Sequence, residues 1–426
     1  MLPCDAGVTK WTERRYEVPV ASGRTFIPPS NRPTMIRFRL RSTAVAGAFI
    51  LLASASMLSA QTTVTVPPID FSGVIYSNYQ YRVDQRTPGT NLFNVERAYL
   101  TFRMPAGDRA SIRITADLFQ NTNTAQNAFY AGWLFRLKYA YLQYNYITGS
   151  PTDFTALARM GSLHTVVIDH EEQFWPRWIS QTDVERAGLF SSADIGVATL
   201  MTLPNKMGEI YVPVTNGPGY TQGEQDRFKD YSGRFTLTPL SNSQAGIFKT
   251  WAISPWFYQG RVASPFVNSA PPSATSNGPI GTGLDRNRWG IFTGIRDPRI
   301  QLGGTYAQFT GQSQTGLNTP ASPAVTVDST GHLYSGFLIV KPLALIDTGF
   351  THINLVGRYD RVTTNTTTNA QYHVFIGGLW IDLNRRSAFS IDYQEQLSDN
   401  YPVVNGTTIT PTPPLRQWFF HIVANF

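Results

Sequence analysis

The 426-residue chain carries 35 Lys or Arg and 28 Asp or Glu residues, for a formal net charge of +7. Charged residues make up 15% of it and aromatic residues 13%, whereas charged residues are usually ~25%. This composition excludes a disordered chain and a coiled coil, and it disfavours a nucleic-acid partner. The single cysteine, Cys4, excludes a disulfide framework and a cysteine-based zinc site. By length alone the chain would form two or three soluble domains.

The first 60 residues have the pattern of an export leader. Arg37, Arg39 and Arg41 precede an apolar run over 43–58, and small residues follow before Gln61. A basic region, a short apolar core and small residues before a cleavage site describe a secretory signal peptide. The run is too short to predict a membrane-spanning helix.

The leader changes the charge of the working protein. Because Met35 stands just before the basic cluster, we expect residues 1–34 to be a misread N-terminal extension, 35–60 the signal peptide and 61–426 the mature chain. Eight basic and three acidic residues lie in the leader together with Cys4. The mature chain, with 27 basic and 25 acidic residues, therefore has a net charge near +2 and no cysteine.

Beyond the leader, apolar and polar residues alternate with the period of two that is typical of strands. Most alternating segments have about the 9–11 residues that a tilted strand needs to cross a bilayer. The predicted strands are 70–82, 92–104, 109–119, 133–146, 154–162, 190–203, 207–215, 227–238, 247–258, 286–296, 299–310, 332–340, 351–360, 371–383, 387–396 and 415–426.

The connections between these segments alternate in length. Those after even-numbered strands are short, and those after odd-numbered strands are mostly long, up to 27 residues at 163–189. Short turns at one end and long loops at the other are typical of an outer-membrane barrel. The sequence therefore predicts an all-β fold, a transmembrane antiparallel β-barrel of about 16 strands with short periplasmic turns and long outer loops.

The last predicted strand ends the chain on an aromatic residue. Trp418, Phe420, Ile422 and Phe426 share one face, which can meet lipid, and polar residues such as His421 share the other. This pattern is typical of the C-terminal strand that outer-membrane barrels present to the barrel assembly machinery. An ordinary terminal strand of a soluble sheet is the alternative.

Alternation also assigns the faces of the strands. It points Leu137, Tyr139 and Tyr141 to lipid and leaves strands 299–310 and 371–383 ambiguous, because both of their faces carry apolar residues and glycine. Arg on the lipid face would cost ~2–4 kcal/mol near the midplane, so we expect basic side chains to face inward. These side chains either line a pore that solutes cross, or they only keep the inner wall hydrated and pair with acidic residues. The candidate pore-lining basic residues are Arg97, Arg103, Arg113, Arg136, Lys138, Arg159, Arg234, Arg288, Arg296 and Arg358.

Loop 163–189 is a candidate constriction loop. Its Phe-Trp-Pro-Arg-Trp run at 174–178 suggests packing against another surface. An acidic loop folded inside a basic wall would set up a transverse field; a loop over the barrel mouth or in a subunit contact is the alternative. Its candidate acidic residues are Asp169, Glu171, Glu172, Asp183 and Glu185.

Several short motifs along the predicted strands carry a family resemblance. They are Val95–Phe102, Leu137–Tyr144, Ala158–Ser162, Val184–Ala187, Ser192–Val197 and Leu355–Val362. Together they resemble the phosphate-selective porin O and P family. The resemblance implies a sixteen-stranded outer-membrane porin, usually trimeric, that passes small solutes. Members with high phosphate selectivity carry a lysine-rich outer loop, whereas loop 163–189 has no lysine and is net acidic. The resemblance therefore leaves phosphate selectivity open.

Together these patterns predict a bacterial outer-membrane porin, a channel for passive diffusion of small hydrophilic solutes with a mild anion preference. Its expected partners are outer-membrane lipid, small hydrophilic or anionic solutes, the barrel assembly machinery and two further copies of itself in a homotrimer. We expect no cofactor, no metal, no nucleic acid and no enzymatic activity. The alternatives are a barrel with an enzymatic, adhesive or structural role and a secreted soluble all-β binding protein.

Overall fold

The computed structural model describes ten stretches of the chain. The predicted extension and signal peptide lie outside the described residues. The described stretches are 68–84, 91–121, 132–224, 226–263, 283–315, 325–347, 352–399, 403–404, 407–408 and 414–426.

All sixteen predicted strands correspond to strands of the structure, and a two-residue pair, β16 with β17, is added between the last two. The strands are β1 Asp70–Arg82, β2 Asn91–Pro105, β3 Ala110–Asn121, β4 Gly132–Ile147, β5 Thr155–His164, β6 Ala193–Thr202, β7 Gly208–Thr215, β8 Asp230–Leu237, β9 Ala252–Ala263, β10 Gly283–Arg296, β11 Ile300–Thr315, β12 Val325–Val340, β13 Ile353–Asn365, β14 Ala370–Asp382, β15 Ser387–Ser398, β16 Val403–Val404, β17 Thr407–Thr408 and β18 Leu415–Asn425.

The sixteen long strands form one closed antiparallel barrel. Each pairs with its neighbours in sequence, and β18 closes the ring by pairing with β1 from Val74↔Asn425 to Arg82↔Gln417. Closure matters because in lipid every backbone N–H and C=O needs a partner within the protein. The predicted fold class is confirmed.

The outer surface of the barrel is apolar. Large apolar side chains on alternate positions are exposed, among them Phe93 at 88%, Met160 at 70% and Phe135 at 64%. Soluble monomers seldom expose apolar surface on this scale, whereas a lipid-facing wall requires it.

Most connections keep the predicted alternation in length. Turns 106–109 and 297–299 are tight, while 165–192 at the other end is long. However, β13 and β14 are joined at that end by the four-residue turn 366–369, and 238–251 at the short end contains a 3-10 helix. These departures arise because β13 extends five residues beyond its predicted end, whereas β9 begins five residues after its predicted start.

A β-bulge changes the predicted faces of β4. Thr115 pairs with Tyr139 and Ala116 with Leu137, so Lys138 is an extra residue in the ladder. A bulge places two successive side chains on one side and reverses the alternation after it. Tyr139 and Tyr141 are consequently buried in the interior at 5% and 7% exposure, and their assignment to lipid was wrong.

Candidate functional site

The segment between β5 and β6, residues 165–192, is here called the inner loop. It contains two one-turn helices, α1 Ile168–Glu171 and α2 Asp183–Arg186. Val166, Ile168 and Trp175 are at most 2% exposed. No helix in the described stretches has the length and apolarity to cross a membrane. The burial shows that the inner loop packs against other parts of the protein.

Apolar side chains of the inner loop pack on the interior face of strands β9–β14. Trp175 and Ile179 form one cluster with Ile339 of β12 and with Val374 and Ile376 of β14. Phe174 packs on Phe292 of β10, with ring centroids 5.1 Å apart. A third cluster joins the start and end of the loop to β9, β11, β12 and β13. Strands 299–310 and 371–383 were ambiguous because their inward faces are apolar where the loop covers them.

Arginines on three strands donate hydrogen bonds to backbone carbonyls of the inner loop. Arg234 on β8 donates to the carbonyl of Val166 at 2.6 Å. Arg358 on β13 donates to the carbonyl of Gln181 at 2.6 Å, and Arg296 on β10 donates to that of Gln173 at 3.1 Å. These three predicted basic residues are therefore bonded to the loop.

A further contact reaches the other side of the barrel. Arg177 of the inner loop donates to Glu96 of β2 at 3.2 Å and also pairs with Glu185 at 3.1 Å. Glu96 is the extra residue of a bulge, because Arg97 pairs with Tyr76 and Val95 with Ser77. A segment that touches β2, β8, β10 and β13 of a closed ring lies inside the ring.

Six of the ten predicted basic residues lie together on β2–β5. Arg113 Nη1 lies 3.0 Å from Nε2 of His164, and Arg159 Nη1 lies 3.4 Å from its Nδ1. Neither arginine has a carboxylate within 4.0 Å in the described residues. Lys138 is 5% exposed and sits 4.4 Å over the ring of Tyr99.

The other basic residues of this wall are paired. Asp117, fully buried, accepts from Arg136 at 2.8 Å and lies 3.5 Å from Arg97. The Tyr220 hydroxyl donates to the same carboxylate at 3.0 Å. Arg103 lies 3.6 Å from Asp70 near the short-turn end, where both are exposed.

A cavity of about 540 Å³ opens beside this wall at the short-turn end of the barrel. Arg103, Arg113 and Arg159 line it from the wall, and Asp169 lines it from the inner loop. Asp169 is exposed and lies 3.2 Å from His164. Here Asp169 faces Arg113 and Arg159 across water-accessible space, while Arg103 pairs with Asp70, which also lines the cavity.

The five predicted acidic loop residues divide into two sets. Asp169 and Glu172 keep some exposure on the β2–β5 side, and Glu185 is paired with Arg177. Glu171 and Asp183 are instead buried, on the side of the loop that meets β11 and β13. Burial, reinforced by the neighbouring Asp183, raises the pKa of Glu171 well above its usual range.

The C-terminal strand has the predicted faces. Trp418, Ile422 and Phe426 are exposed on the outside, and Phe420 is half-buried there. His421 points inward, is 2% exposed and lies 3.2 Å from Asp392. Its role in assembly stays a prediction.

An outer surface of apolar side chains, a closed sixteen-stranded ring and a charged interior define an outer-membrane β-barrel of the porin type. The chain is accordingly a protein of the bacterial outer membrane, and the predicted localisation is confirmed. No protein-family model and no curated protein matches it.

Solved structures match this fold over most of the chain. OprB of Pseudomonas putida is 9% identical with a TM-score of 0.56, over 84% of this chain and 94% of its own. The outer membrane channel DcaP of Acinetobacter baumannii is 10% identical with a TM-score of 0.52, over 85% and 98%. OmpT of Vibrio cholerae is 10% identical with a TM-score of 0.52, over 84% and 97%, and another OmpT structure is described as a trimer form. The likeness confirms a porin-like barrel but does not confirm the finer resemblance to phosphate-selective porins.

The prediction that the chain is not an enzyme was wrong. The matching structures include OmpT at 10% identity and a TM-score of 0.52, and a fold shared at that level leaves activity open. The sequence also gave no sign of a buried Ser–His pair. Ser254 Oγ of β9 lies 2.8 Å from His170 Nε2 of the inner loop, and Glu209 lies 3.9 Å from Nδ1. The exclusion of catalysis is therefore withdrawn.

Proposed function

We propose that the chain forms a water-filled channel across the outer membrane for passive diffusion of small hydrophilic solutes, with a mild preference for anions. The observation that carries the proposal is the division of the interior. The apolar side of the inner loop is occupied by β9–β14, so the water-accessible path runs along the basic wall of β2–β5. There Arg113 and Arg159 lack carboxylate partners among the described residues.

The charges at this path act on a solute through their placement. Arg113 and Arg159 are fixed on strands, and a guanidinium is a planar, permanently charged partner for oxyanions. Asp169 faces them from the inner loop, so a field runs across the path rather than along it. In this proposal the loop narrows the channel and the arginines bias it toward anions.

The resemblance to phosphate-selective porins belongs to the same proposal, in a restricted form. Three of the predicted arginines are bonded to loop carbonyls and two are paired with Asp117, so few stay free to receive an oxyanion. We propose a preference for small anions in general, without selectivity for phosphate over chloride.

Processing and assembly complete the proposal. Residues 35–60 are removed as a signal peptide, residues 1–34 are not translated, and the mature chain is inserted by the barrel assembly machinery through its C-terminal strand. The barrel then forms a homotrimer, the form in which one OmpT structure is described. N-terminal sequencing of the protein from outer membranes should begin at Gln61, and native mass spectrometry should give three chains.

Planar bilayers test the channel directly. Residues 61–426, refolded in detergent and added to a bilayer under a KCl gradient, should give stepwise conductance. The sign of the reversal potential should show that chloride is more permeant than potassium. Absence of steps from correctly folded protein would overturn the channel. A reversal potential of the opposite sign would overturn the anion preference alone.

A further inference from the structure

A second cavity, of about 250 Å³, lies at the long-loop end of the barrel. It is enclosed by both ends of the inner loop, by β6–β10 and by the turn after β7. Its volume is below the ~300–1,000 Å³ of sites for drug-sized ligands. The space therefore suits a small solute that enters from the side opposite the cavity beside Arg113.

Two arginines of β10 supply the charge in this cavity. Arg288 lies 4.6 Å from the ring centroid of Tyr258 and 5.1 Å from that of Phe190, and no carboxylate in the described residues forms an ion pair with it. Arg286 pairs with Asp230 at 3.1 Å, while its buried Nε has no hydrogen-bond partner among the described residues. A guanidinium held between rings is fixed in orientation and weakly hydrated, so these donors are poised for an anion.

Asp194, which lines the cavity, and Asp230, which pairs with Arg286, already accept hydrogen bonds within the protein. Asp230 is fully buried and accepts from the Tyr258 hydroxyl, the Arg261 backbone N–H at 3.1 Å and Arg286. Asp194 accepts from the backbone N–H groups of Ile195 and Gly217, both at 2.7 Å. Since internal donors satisfy both acids, Arg288 is the charge that remains open to a ligand.

The rest of the lining combines an apolar part with hydroxyl groups. Val166, Leu189, Phe190, Pro213 and Pro218 form the apolar part, and Thr165, Ser191, Thr215 and Ser232 supply hydroxyls. Small-molecule sites commonly combine an apolar wall with a few placed polar groups that fix orientation. The complement of this lining is a molecule with one anionic end and a flat, apolar body.

We infer that this cavity binds a small planar organic carboxylate, with the carboxylate on Arg288 and the apolar body against Val166 and Phe190 of the inner loop. The inference rests on the proposed channel, for which it names a class of solute retained at the outer side. Benzoate is the probe, because it has one carboxylate on one flat ring. Acetate lacks the ring and benzyl alcohol lacks the charge.

Isothermal titration of the detergent-solubilised 61–426 protein measures binding without requiring conduction. Benzoate should bind, and acetate and benzyl alcohol should each bind at least about tenfold more weakly, the loss expected when a charge-assisted hydrogen bond or the buried ring is removed. If benzoate does not bind, or binds no better than benzyl alcohol, the inference is overturned. These three titrations decide the question even if a variant fails to fold.

The substitution Arg288→Gln locates the site. It should weaken benzoate binding at least about tenfold, whereas Arg386→Gln, a matched change in the exposed turn 383–386, should leave it unchanged. Equal binding by both variants would place the carboxylate elsewhere and overturn the assignment. A protein that conducts but does not bind benzoate refutes only this site; one that binds benzoate but never conducts refutes only the channel.

Discussion

Replacing Trp175 by alanine should free the inner loop while leaving the barrel intact. Trp175 is 2% exposed, its ring lies 5.3 Å from that of Phe337 and 4.9 Å from the guanidinium of Arg358, and its Nε1 donates to Ser180 at 2.9 Å. Removing a buried tryptophan costs about 3–5 kcal/mol. Every ~1.4 kcal/mol changes an equilibrium constant tenfold, so the equilibrium constant for docking the loop should fall by more than about a hundredfold.

Single-channel recording measures the effect of releasing the inner loop. Trp175→Ala should give larger and noisier current steps than the unmodified protein, because a released loop no longer holds one position in the path. The sixteen-stranded ladder does not include Trp175, so the folded barrel should still migrate ahead of its heated form on SDS gels.

The matched control is Trp289→Ala. Trp289 is 50% exposed on the outer face of β10, so this variant loses the same side chain on the lipid side and should keep unmodified steps. Unchanged conductance and noise in Trp175→Ala, with the barrel folded, would refute the proposal that a docked inner loop limits the channel.

Three further changes probe the interior. Arg113→Gln with Arg159→Gln should reduce the anion-to-cation permeability ratio at least about twofold, because fixed charges beside a narrow path set local ion concentrations; reversal potentials measure it. Asp117→Asn should lower the free energy of unfolding by about 1–3 kcal/mol, since it removes the negative charge that strengthens the hydrogen bonds from Arg136 and Arg97; the heating midpoint on SDS gels measures it. Burial and the neighbouring Asp183 raise the pKa of Glu171. Docking of the inner loop should therefore be strongest below the usual Glu pKa of ~4.3 and should weaken as the pH rises through the raised pKa. Current noise recorded against pH measures this dependence, and Glu171→Gln should flatten it.

Each of these changes has a control in an exposed position. Arg386→Gln should leave selectivity unchanged, Asp108→Asn should leave the heating midpoint unchanged, and Glu224→Gln should keep the pH profile. An effect of equal size in a control would show that the substitution type, not the site, is responsible. An unmodified pH profile in Glu171→Gln would contradict the role of that carboxyl.

The sequence predicted the barrel well because lipid and backbone chemistry constrain it strongly. Alternation with period two located all sixteen strands, and the aromatic face of the last strand is on the outside as predicted. Alternation failed at Lys138, where one extra residue reverses the faces of Tyr139 and Tyr141. A bulge is set by the pairing of two strands, which a single segment's pattern does not contain.

The interior could be predicted only in part. The aromatic residues of loop 163–189 indicated packing, but not that β9–β14 would offer an apolar inner face. For the same reason Arg234, Arg296 and Arg358 were predicted as equal members of one basic set, although they bond the loop's carbonyls. The clue was present in strands 299–310 and 371–383, whose two apolar faces are explained by lipid on one side and the loop on the other.

One thiol-labelling measurement tests the account's central claim, that the inner loop lies in the channel with an acidic edge in water and an apolar edge on the wall. The mature chain has no cysteine, so Asp169→Cys and Ile179→Cys each introduce a single site. An anionic methanethiosulfonate reagent should modify Asp169→Cys and reduce its single-channel current, and should leave the buried Ile179→Cys unmodified. Modification of both sites at equal rates, or of Asp169→Cys without any change in current, would contradict the account.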